Sequence, residues 1–556
     1  MAQEIIQSKP KTLFEKVNQY KKMCWVLLKT LGIQETSIKS SIVMTTANSN
    51  LLNKMRYYLK NLFFIIPFLA QAQYPVPVET VLKKAGSNRM ELEKAIEYCS
   101  KSGDSLKVQA IYFLITNMDI HSSSDYYWED ATGKKIDYNE LDYSDFTQAK
   151  TAFETLKEQN PGLNPKAVIY KDVETIKGDY LIENLEKAFV AWRTSAIKNI
   201  SFDDFCEYIL PYRISEEPIQ QWRTTYNEKF EWIKEQIPSK GFKTVLYSVK
   251  DNYETWFTNW GEPRKEPLPK LGSMQLLFRK LGSCADIANL GVFTMRSQGI
   301  PATVNVIPFW ATATGGHFMN AFFDDAMQPV NCDFGPKDYI TNIIREPAKV
   351  LRLTYSRQPE TLASLEDKNE IPKGMLQQQN YIDVTPYYWK TTDVKCSLYS
   401  TSNTAKVVYA TTFNGLAWRP FWWGKIEKGQ TSFKAICKET VLIPQYYING
   451  KLIPAGAPVI VGDKEPQVLL PNLAQTRDVS ITEADKYLKF KMGVTYKLYY
   501  WSNGWKLVDS REVTTTTTSM LFTKVPKNAL LLFLASDTKG FERPFVMDDN
   551  GVRTWY

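Results

Sequence analysis

The N-terminal part of the chain alternates apolar and polar residues at helical spacing. In the segment from Ser105 to Asn117, apolar side chains recur at steps of three and four residues, which is typical of an amphipathic helix. Two further segments, Leu181 to Ala196 and the run through Phe205, show the same period. We therefore predict a helical region over residues 75–235. His121 lies in a serine-rich stretch between two helical segments, where we expect an exposed loop.

One segment of this region mixes aromatic, basic and acidic residues, from Pro211 to Arg223. Its first interpretation is an interface that packs the helical region against the next domain. A wall of a substrate groove is the alternative.

The pattern changes over residues 236–355, where one helix is followed by short apolar runs. The helix begins near Cys284 and ends at Gly299, since glycine commonly caps a helix and the following Ile300-Pro301 prevents its continuation. Three strand-like runs follow, over residues 302–309, 317–323 and 330–334. We predict an α+β core here, and a polar connector without periodicity over residues 356–384.

From Thr385 to the end, the pattern is that of strands and contains an internal repeat. The repeated motif consists of an apolar run, an Asn-Gly pair and a tryptophan. The pair is Asn414-Gly415 in the first copy and Asn503-Gly504 in the second. In both copies the next apolar strand begins 27 residues after the asparagine. Asn-Gly favours a type I′ hairpin turn. The repeat predicts two β-sandwich modules, over residues 385–470 and 471–556. The whole chain is thus an α+β multidomain protein.

Residues 55–72 have the composition of a secretory signal peptide. A basic stretch from Met55 precedes a short apolar core, and Ala70-Gln71-Ala72 forms a small-x-small cleavage site. We therefore expect an exported protein that begins at Met55, with Gln73 as its first residue after cleavage. Residues 1–54 would then be an upstream artefact of start-site choice; a genuine helical extension is the alternative. The apolar core is too short to span a bilayer.

The charge distribution excludes a nucleic-acid-binding domain. The net charge is +8, but residues 1–72 carry ten basic and three acidic residues, and the remaining 484 residues have a net charge of only +1. Without a basic domain, the phosphate backbone has no electrostatic partner. Six cysteines lie after residue 72, and Cys396 and Cys437 are the one pair that we consider for a disulfide bond. The chain lacks a Cys-x-x-Cys motif, so we predict neither a metal nor another cofactor.

The core contains the residues that could carry chemistry. A Gly-Ser turn places Cys284 at a helix N-terminus, where the helix dipole favours a thiolate. His317, one of two histidines in the chain, begins a predicted strand after two glycines, and Asp333 follows sixteen residues later on the next strand. A thiol, an imidazole and a carboxylate in this order could form a Cys-His-Asp triad. Asp324 and Asp325 are alternatives for the acid.

These motifs resemble the core of the transglutaminase-like superfamily, over roughly Leu276 to Phe334. The resemblance implies a papain-like fold with Cys284 as nucleophile, His317 as general base and Asp333 as the orienting acid. Two departures affect the wall that faces the substrate. The family usually has a tryptophan soon after the histidine, where this chain has Phe318-Met319-Asn320, and Gly-Ile-Pro is commonly followed by Ala-Arg, where this chain has Ala302-Thr303.

We therefore expect thiol-based acyl transfer on peptide, protein or peptidoglycan amides, with hydrolysis favoured because water is the default acceptor. A non-catalytic exported binding protein and an amine-accepting transglutaminase are the alternatives. Carbohydrate contact by the C-terminal modules is a further hypothesis, based on their aromatic residues, although aromatic residues in sandwiches mostly form core. These residues are Trp418, Trp422, Trp423, Trp501, Trp505, Trp555 and Tyr556.

Overall fold

The structure is a computed structural model that describes residues 74–259, 270–334, 343, 345–399, 405–463, 465–484 and 488–556. Residues 75–556 form one compact unit of mixed helix and strand. The predicted signal peptide and the extension before it lie outside the described residues. Within the described residues, no helix is long and apolar enough to cross a membrane.

Helices dominate the N-terminal region, as predicted. Its helices are α1 Val76–Lys84, α2 Arg89–Lys101, α3 Ser105–Thr116, α4 Phe146–Gln159, α5 Asp172–Thr175, α6 Gly178–Arg193, α7 Phe202–Tyr208 and α8 Arg223–Phe230. Two further helices, α9 Trp232–Lys240 and α10 Phe242–Glu254, extend into or lie within the predicted core, residues 236–355. The prediction missed a three-stranded antiparallel sheet within this region, whose strands are β1 Ser122–Glu129, β2 Lys135–Ile136 and β3 Asn164–Lys171. The serine-rich stretch after His121 is therefore a strand that pairs with β3, and not a loop.

The helical region packs against the core through the segment that the sequence analysis singled out. The Arg213 guanidinium forms a buried ion pair with Asp172 at 2.5 Å. From the core, Arg296 donates a hydrogen bond to the Arg213 carbonyl oxygen at 2.8 Å, and the Trp222 ring lies 4.8 Å from that of Phe293. The interface interpretation is therefore confirmed for this segment.

The core is built on a five-stranded antiparallel sheet. Its elements are β4 Thr258–Asn259, α11 Ser273–Arg279, β5 Leu281–Gly282, α12 Cys284–Ser297, β6 Ala302–Ile307, β7 His317–Phe323, β8 Pro329–Cys332, β9 Leu351–Leu353, α13 Leu362–Leu365 and β10 Tyr381–Asp383. The strand order in the sheet is β10-β9-β6-β7-β8. Strand β10 lies inside the predicted connector, so that segment completes the sheet. Gly299 has a φ of +74°, as predicted for the cap of α12.

The C-terminal region is β-rich and consists of multi-strand sheets. Its elements are α14 Thr385–Tyr388, β11 Thr391–Ser397, β12 Val407–Asn414, β13 Ala417–Glu427, β14 Gln430–Cys437, β15 Thr440–Ile448, β16 Lys451–Pro454, β17 Val459–Val461, β18 Gln467–Val468, β19 Asn472–Thr482, β20 Thr495–Trp501, β21 Trp505–Glu512, β22 Ser519–Lys527, β23 Leu531–Ala535, β24 Phe545–Met547 and β25 Arg553–Trp555.

The internal repeat corresponds to a repeated strand arrangement. In the first copy, the strands follow the order β13-β12-β15-β17-β18, and the pair β11-β14 extends the same sheet beyond β13. In the second copy, the strands follow the order β21-β20-β23-β24-β25, and the pair β19-β22 forms a separate two-stranded sheet. Both hairpins contain a register shift, between Ala410 and Thr411 and between Leu498 and Tyr499. In each repeat, the strand that follows 27 residues after the asparagine pairs with the first strand of the hairpin: β15 pairs with β12, and β23 pairs with β20.

The two hairpin turns differ from the predicted Asn-Gly type I′ form. In the first, Asn414 pairs with Ala417, so the central residues are Gly415 and Leu416, both with positive φ. In the second, Trp501 pairs with Trp505, which leaves a three-residue loop.

Candidate active site

Cys284 is the first residue of α12, as the sequence predicts. Ser283 is the N-cap, and its backbone N–H and hydroxyl both donate to Asp286 Oδ2, at 2.8 and 2.7 Å. The neighbouring Gly282 has no space for a side chain, since an added Cβ would lie 2.5 Å from the Asp286 Cβ. This tight turn orients the thiol at the positive end of the helix dipole.

Helix α12 crosses the sheet on strand β7. The Asn320 side chain donates to the Ala288 carbonyl oxygen at 2.7 Å. At the crossing, a Cβ on Gly291 would lie 2.8 Å from the Phe334 ring and 2.9 Å from Asn320 Oδ1. Glycine at this position therefore lets the helix approach the strand that begins with His317.

His317 and Asp333 lie at the same end of the sheet. Strands β7 and β8 are antiparallel neighbours, with Asn320 opposite Cys332, so the start of β7 lies beside the end of β8. His317 Nε2 lies 2.6 Å from Asp333 Oδ2. The His317 side chain is 23% exposed and that of Asp333 only 9%. The carboxylate is thus shielded from water while the imidazole keeps a path to solvent.

Both of the other candidate residues, Asp333 and Cys284, influence the pKa of His317. Burial by itself lowers the pKa of His317. Hydrogen bonds to Asp333 and to the Cys284 thiol outweigh burial and raise the pKa of His317 to about 10. Because Nε2 contacts Asp333, Nδ1 is the ring nitrogen that remains for the sulfur. A protonated imidazole beside a sulfur stabilises the thiolate form, which is the nucleophile.

An aromatic ring covers the imidazole, although not from the position that the family resemblance led us to expect. The Trp310 ring stacks on His317 with centroids 6.0 Å apart and planes 23° apart. Trp310 precedes the histidine by seven residues, whereas Phe318, directly after it, packs towards the apolar core of the domain.

The segment that leads to His317, residues 308–316, is held by the C-terminal region; we call it the histidine loop. Asn414 in β12 accepts a hydrogen bond from the Gly315 N–H at 3.0 Å. Its amide nitrogen donates to the carbonyl oxygens of Trp310, Ala313 and Gly315, at 3.2, 3.0 and 2.9 Å. All the hydrogen-bonding atoms of this buried amide are therefore directed at the loop.

The second repeat also contacts the histidine loop. The Arg543 guanidinium donates to the carbonyl oxygens of Ala311 and Phe413, and the Thr314 hydroxyl donates to the Gly540 carbonyl oxygen at 3.1 Å. Gly316 lets the end of the loop pass close to the backbone of residues 307 and 308. A Cβ at this position would lie 2.5 Å from the carbonyl oxygens of Ile307 and Pro308. Both C-terminal repeats thus help to position the start of β7. This role of Asn414 was not predicted, since nothing in the local sequence pattern links it to a loop about a hundred residues away.

The two alternative acids lie away from His317. Asp324 accepts hydrogen bonds from the N–H groups of Ala326 and Gln328, both at 2.9 Å, and so shapes the turn between β7 and β8. Asp325 accepts from the Lys198 N–H at 2.6 Å, on the helical region. Of the three candidates, Asp333 is the one that contacts the imidazole.

The prediction that His121 is exposed is wrong. Its ring is buried and stacks on Tyr355 with centroids 4.4 Å apart. His121 Nε2 lies 2.8 Å from the Tyr355 carbonyl oxygen. Burial, together with the nearby Arg213, lowers the pKa of His121 to about 3. This histidine therefore joins the helical region to the core as a neutral side chain.

Cys284 differs from the other cysteines in its exposure. All six cysteines of the described residues are free thiols, and Cys284 is partly exposed while the other five are buried. A disulfide between Cys396 and Cys437 is therefore not formed. Burial raises the pKa of both of these thiols. Within the described part of the chain, no group of three His, Cys, Asp or Glu side chains could hold a metal ion.

No protein-family model matches this sequence, and no curated protein matches it either. The likeness to the transglutaminase-like superfamily thus stays a prediction from the motifs.

Proposed function

We propose that this protein is an exported, transglutaminase-like enzyme that uses Cys284 for acyl transfer on peptide or cell-wall amides, and that hydrolysis is its main reaction. The observation that carries the proposal is the contact of His317 Nε2 with Asp333 Oδ2 at 2.6 Å. The Cys284 thiol supports it, because it is among the groups that raise the pKa of His317. The partial exposure of the thiol supports it further, because a nucleophile must reach its substrate. Export is proposed from the pattern of residues 55–72 alone.

In the proposed reaction the Cys284 sulfur attacks the amide carbonyl carbon, and the negative charge moves to the carbonyl oxygen. The Cys284 backbone N–H, at the first position of α12, has no acceptor among the residues that the structure describes. It is thus available to stabilise that oxyanion, together with the helix dipole. His317 donates its proton to the leaving nitrogen, the C–N bond breaks, and a thioester on Cys284 remains.

Water then resolves the thioester. His317, now neutral, removes a proton from the attacking water, and Cys284 leaves as the thiolate while the acid product departs. Asp333 holds the imidazole in the orientation that both steps need and stabilises its protonated form. We favour water as the acceptor because the His317 side chain is in contact with solvent.

We propose, more finely, that each C-terminal repeat is a β-sandwich module. In the first repeat, Val394 and Phe433 of the pair β11-β14 share an apolar cluster with Val408 and Val459 of the other strands. In the second repeat, Val479 and Phe522 pack in the same way against Leu498. Two groups of strands that cover one apolar layer are the arrangement of a sandwich.

The test is the detection of a thioester on Cys284. The protein is mixed with a library of peptide and cell-wall amides, quenched in acid, and analysed by intact mass and peptide mapping. We expect an acyl adduct on Cys284 that disappears in Cys284→Ser, and free acid as the main product. Adducts that are equally abundant in Cys284→Ser, or a library that is not turned over at all, would contradict the proposal.

A further inference from the structure

A cavity of about 630 Å³ lies where the core meets the two C-terminal repeats. We call it the junction cavity. The core contributes Glu346, the first repeat Glu439, and the second repeat Phe541, Arg553, Trp555 and Tyr556. Its volume falls in the range of small-molecule sites, about 300–1,000 Å³. It is separate from the thiol site, whose three candidate residues do not line it.

The aromatic rings divide into a group that packs between the two repeats and a group at the cavity. Trp418, Trp501 and Trp505 pack against one another between the two repeats, with Trp418 and Trp501 centroids 5.6 Å apart. Trp418 and Trp501 are buried and Trp505 is partly buried against them, so we do not assign these three rings to carbohydrate binding. Phe541 is 71% exposed, and Trp555 and Tyr556 are partly exposed, all at the cavity. The Trp555 ring already contacts the Arg553 guanidinium, 5.4 Å from its centroid, and the Phe545 ring, so Phe541 is the most exposed ring available for stacking. Aromatic faces at such a site can stack on an apolar face of a ligand.

Two charged side chains of the lining keep hydrogen-bonding atoms that no described residue uses. Glu439 is exposed, and its carboxylate has no hydrogen-bond or ion-pair partner in the described part of the chain. Arg553 donates through Nη2 to the Thr482 carbonyl oxygen at 2.7 Å, while its Nε and Nη1 have no acceptor among the described residues. By contrast, Glu346 accepts a hydrogen bond from Thr312 at 2.5 Å. The cavity therefore offers an unused acceptor and an unused donor.

This mixture of charges limits the class of ligand. Three glutamates line the cavity beside two arginines, so a phosphate group would meet repelling carboxylates and a polycation would meet repelling guanidinium groups. A sugar hydroxyl can donate to a carboxylate and also accept from a guanidinium group. A pyranose ring also has C–H faces that stack on aromatic side chains. We infer that the junction cavity binds a short neutral glycan.

The inference does not depend on the proposed acyl transfer, because it concerns binding at another site. The full chain is titrated with three neutral oligosaccharides, namely maltotriose, cellotriose and N,N′,N″-triacetylchitotriose, up to 10 mM each, by isothermal titration calorimetry. A lysine-rich peptide and inorganic phosphate are titrated in parallel. We expect saturable binding of at least one saccharide. Binding of the peptide or of phosphate alone, or of none of the probes, would overturn the inference.

Three variants locate the binding. Phe541→Ala removes an exposed ring and Glu439→Gln removes a charge at constant shape, so neither is expected to disturb folding. We expect each to weaken saccharide binding about tenfold or more, whereas Tyr387→Ala, an equally exposed aromatic residue (65%) that does not line the cavity, leaves it unchanged. Saccharide binding that survives both lining variants, or that falls equally in Tyr387→Ala, would also overturn the inference.

Discussion

The two histidines of this chain show how surroundings set the chemistry of one residue type. His121 is buried against Tyr355, which keeps its imidazole neutral and its pKa near 3. For His317, the hydrogen bonds to Asp333 and Cys284 outweigh burial and raise the pKa to about 10. The sequence could suggest the role of His317, because two glycines and a strand pattern surround it. It gave no sign of the burial of His121, which depends on Tyr355, 234 residues away.

We predict that neither histidine titrates between pH 5 and pH 8. His317 stays protonated through this range, since its pKa is raised, and His121 stays neutral, since its pKa is lowered. Protein labelled with ¹³C on the histidine rings gives two signals, which His121→Gln and His317→Gln assign. A signal that titrates near the ordinary value of about 6.5 would show that the corresponding histidine lacks the surroundings described above.

The same shifts predict how stability depends on pH. The raised pKa of His317 stabilises the fold fully below about pH 6.5, and this contribution is lost as the pH rises through about 10. We therefore expect the loss of unfolding free energy in His317→Gln to be larger at pH 6 than at pH 10, in urea denaturation. A loss that is equal at the two pH values would contradict the shift.

Among the three candidate acids, Asp333 is the one whose replacement should lower the reactivity of the Cys284 thiol. Asp333→Asn removes the carboxylate that holds the His317 ring, which lowers the pKa of His317 and weakens its orientation. We expect the rate of acyl transfer to fall about 10³–10⁴-fold, by analogy with other orienting acids. Asp324→Asn is the matched control, since that side chain serves a turn, and its rate should change little. The reverse ranking would identify a different acid.

At the scale of elements, local signals predicted α12 and β7 well. The bounds of α12 follow from Ser283, Gly299 and Pro301, which act within a few residues of the helix ends. Strands β9 and β10 were missed, because each is only three residues long and pairs with a strand distant in sequence. A strand of three residues is too short to show an alternation of apolar and polar residues. Only its pairing with a distant strand identifies it, and the sequence does not show that pairing.

The first hairpin turn illustrates a local rule that a distant contact overrides. Asn-Gly favours the two central positions of a type I′ turn, yet Asn414 ends strand β12 and Gly415-Leu416 form the turn. Leu416 then has a positive φ of 59°, which is unfavourable for a residue with a side chain. The shift places the Asn414 amide against the histidine loop, where it makes four hydrogen bonds. Those bonds compensate for the strained turn.

We predict that Asn414→Asp lowers the reactivity of Cys284, although Asn414 belongs to the first C-terminal repeat and not to the core domain. The change replaces an amide nitrogen by a carboxylate oxygen opposite three carbonyl oxygens, so the histidine loop should move away. We expect at least a tenfold slower alkylation of Cys284 at pH 7 and a shifted His317 signal in the histidine NMR spectrum.

Asn503→Asp is the matched control for this change, because Asn503 occupies the corresponding turn of the second repeat, is exposed and makes no side-chain hydrogen bond to the described residues. It should behave like the wild type. An Asn414→Asp protein with normal alkylation and a normal His317 signal would show that the loop does not depend on this contact.

At the scale of the whole molecule, residues 75–556 form one unit in which the parts share apolar cores. Phe413 and Trp418 of the first repeat pack in one cluster with Trp501 and Leu530 of the second. The repeat could be recognised from the sequence, because it recurs at a constant step. The packing of one repeat against the other could not be recognised, since tryptophans in an all-β segment mostly form core but do not indicate which strands share that core.

We predict that Trp501→Ala destabilises the protein strongly. The side chain is 5% exposed and lies between the repeats, and replacement of a buried tryptophan by alanine typically costs about 3–5 kcal/mol. Urea denaturation should show this loss, together with faster proteolysis of both repeats. Tyr387→Ala, at an exposed position, should change the free energy of unfolding by less than about 0.5 kcal/mol. Equal stability of the two variants would contradict a shared core.

We propose that His317 activates Cys284, and the pH dependence of Cys284 alkylation by iodoacetamide measures this activation. Comparison with other cysteines would mislead, because those of the described residues are buried, so the comparison is made between the wild type and His317→Gln at the same thiol. We predict that the wild type is alkylated at least tenfold faster than His317→Gln at pH 7, because the protonated imidazole stabilises the thiolate, and that the two rates approach each other near pH 10, where the imidazole loses its proton. In His317→Gln the rate should fall about tenfold per pH unit below the ordinary thiol pKa of about 8.5. Identical profiles for the two proteins would contradict the account.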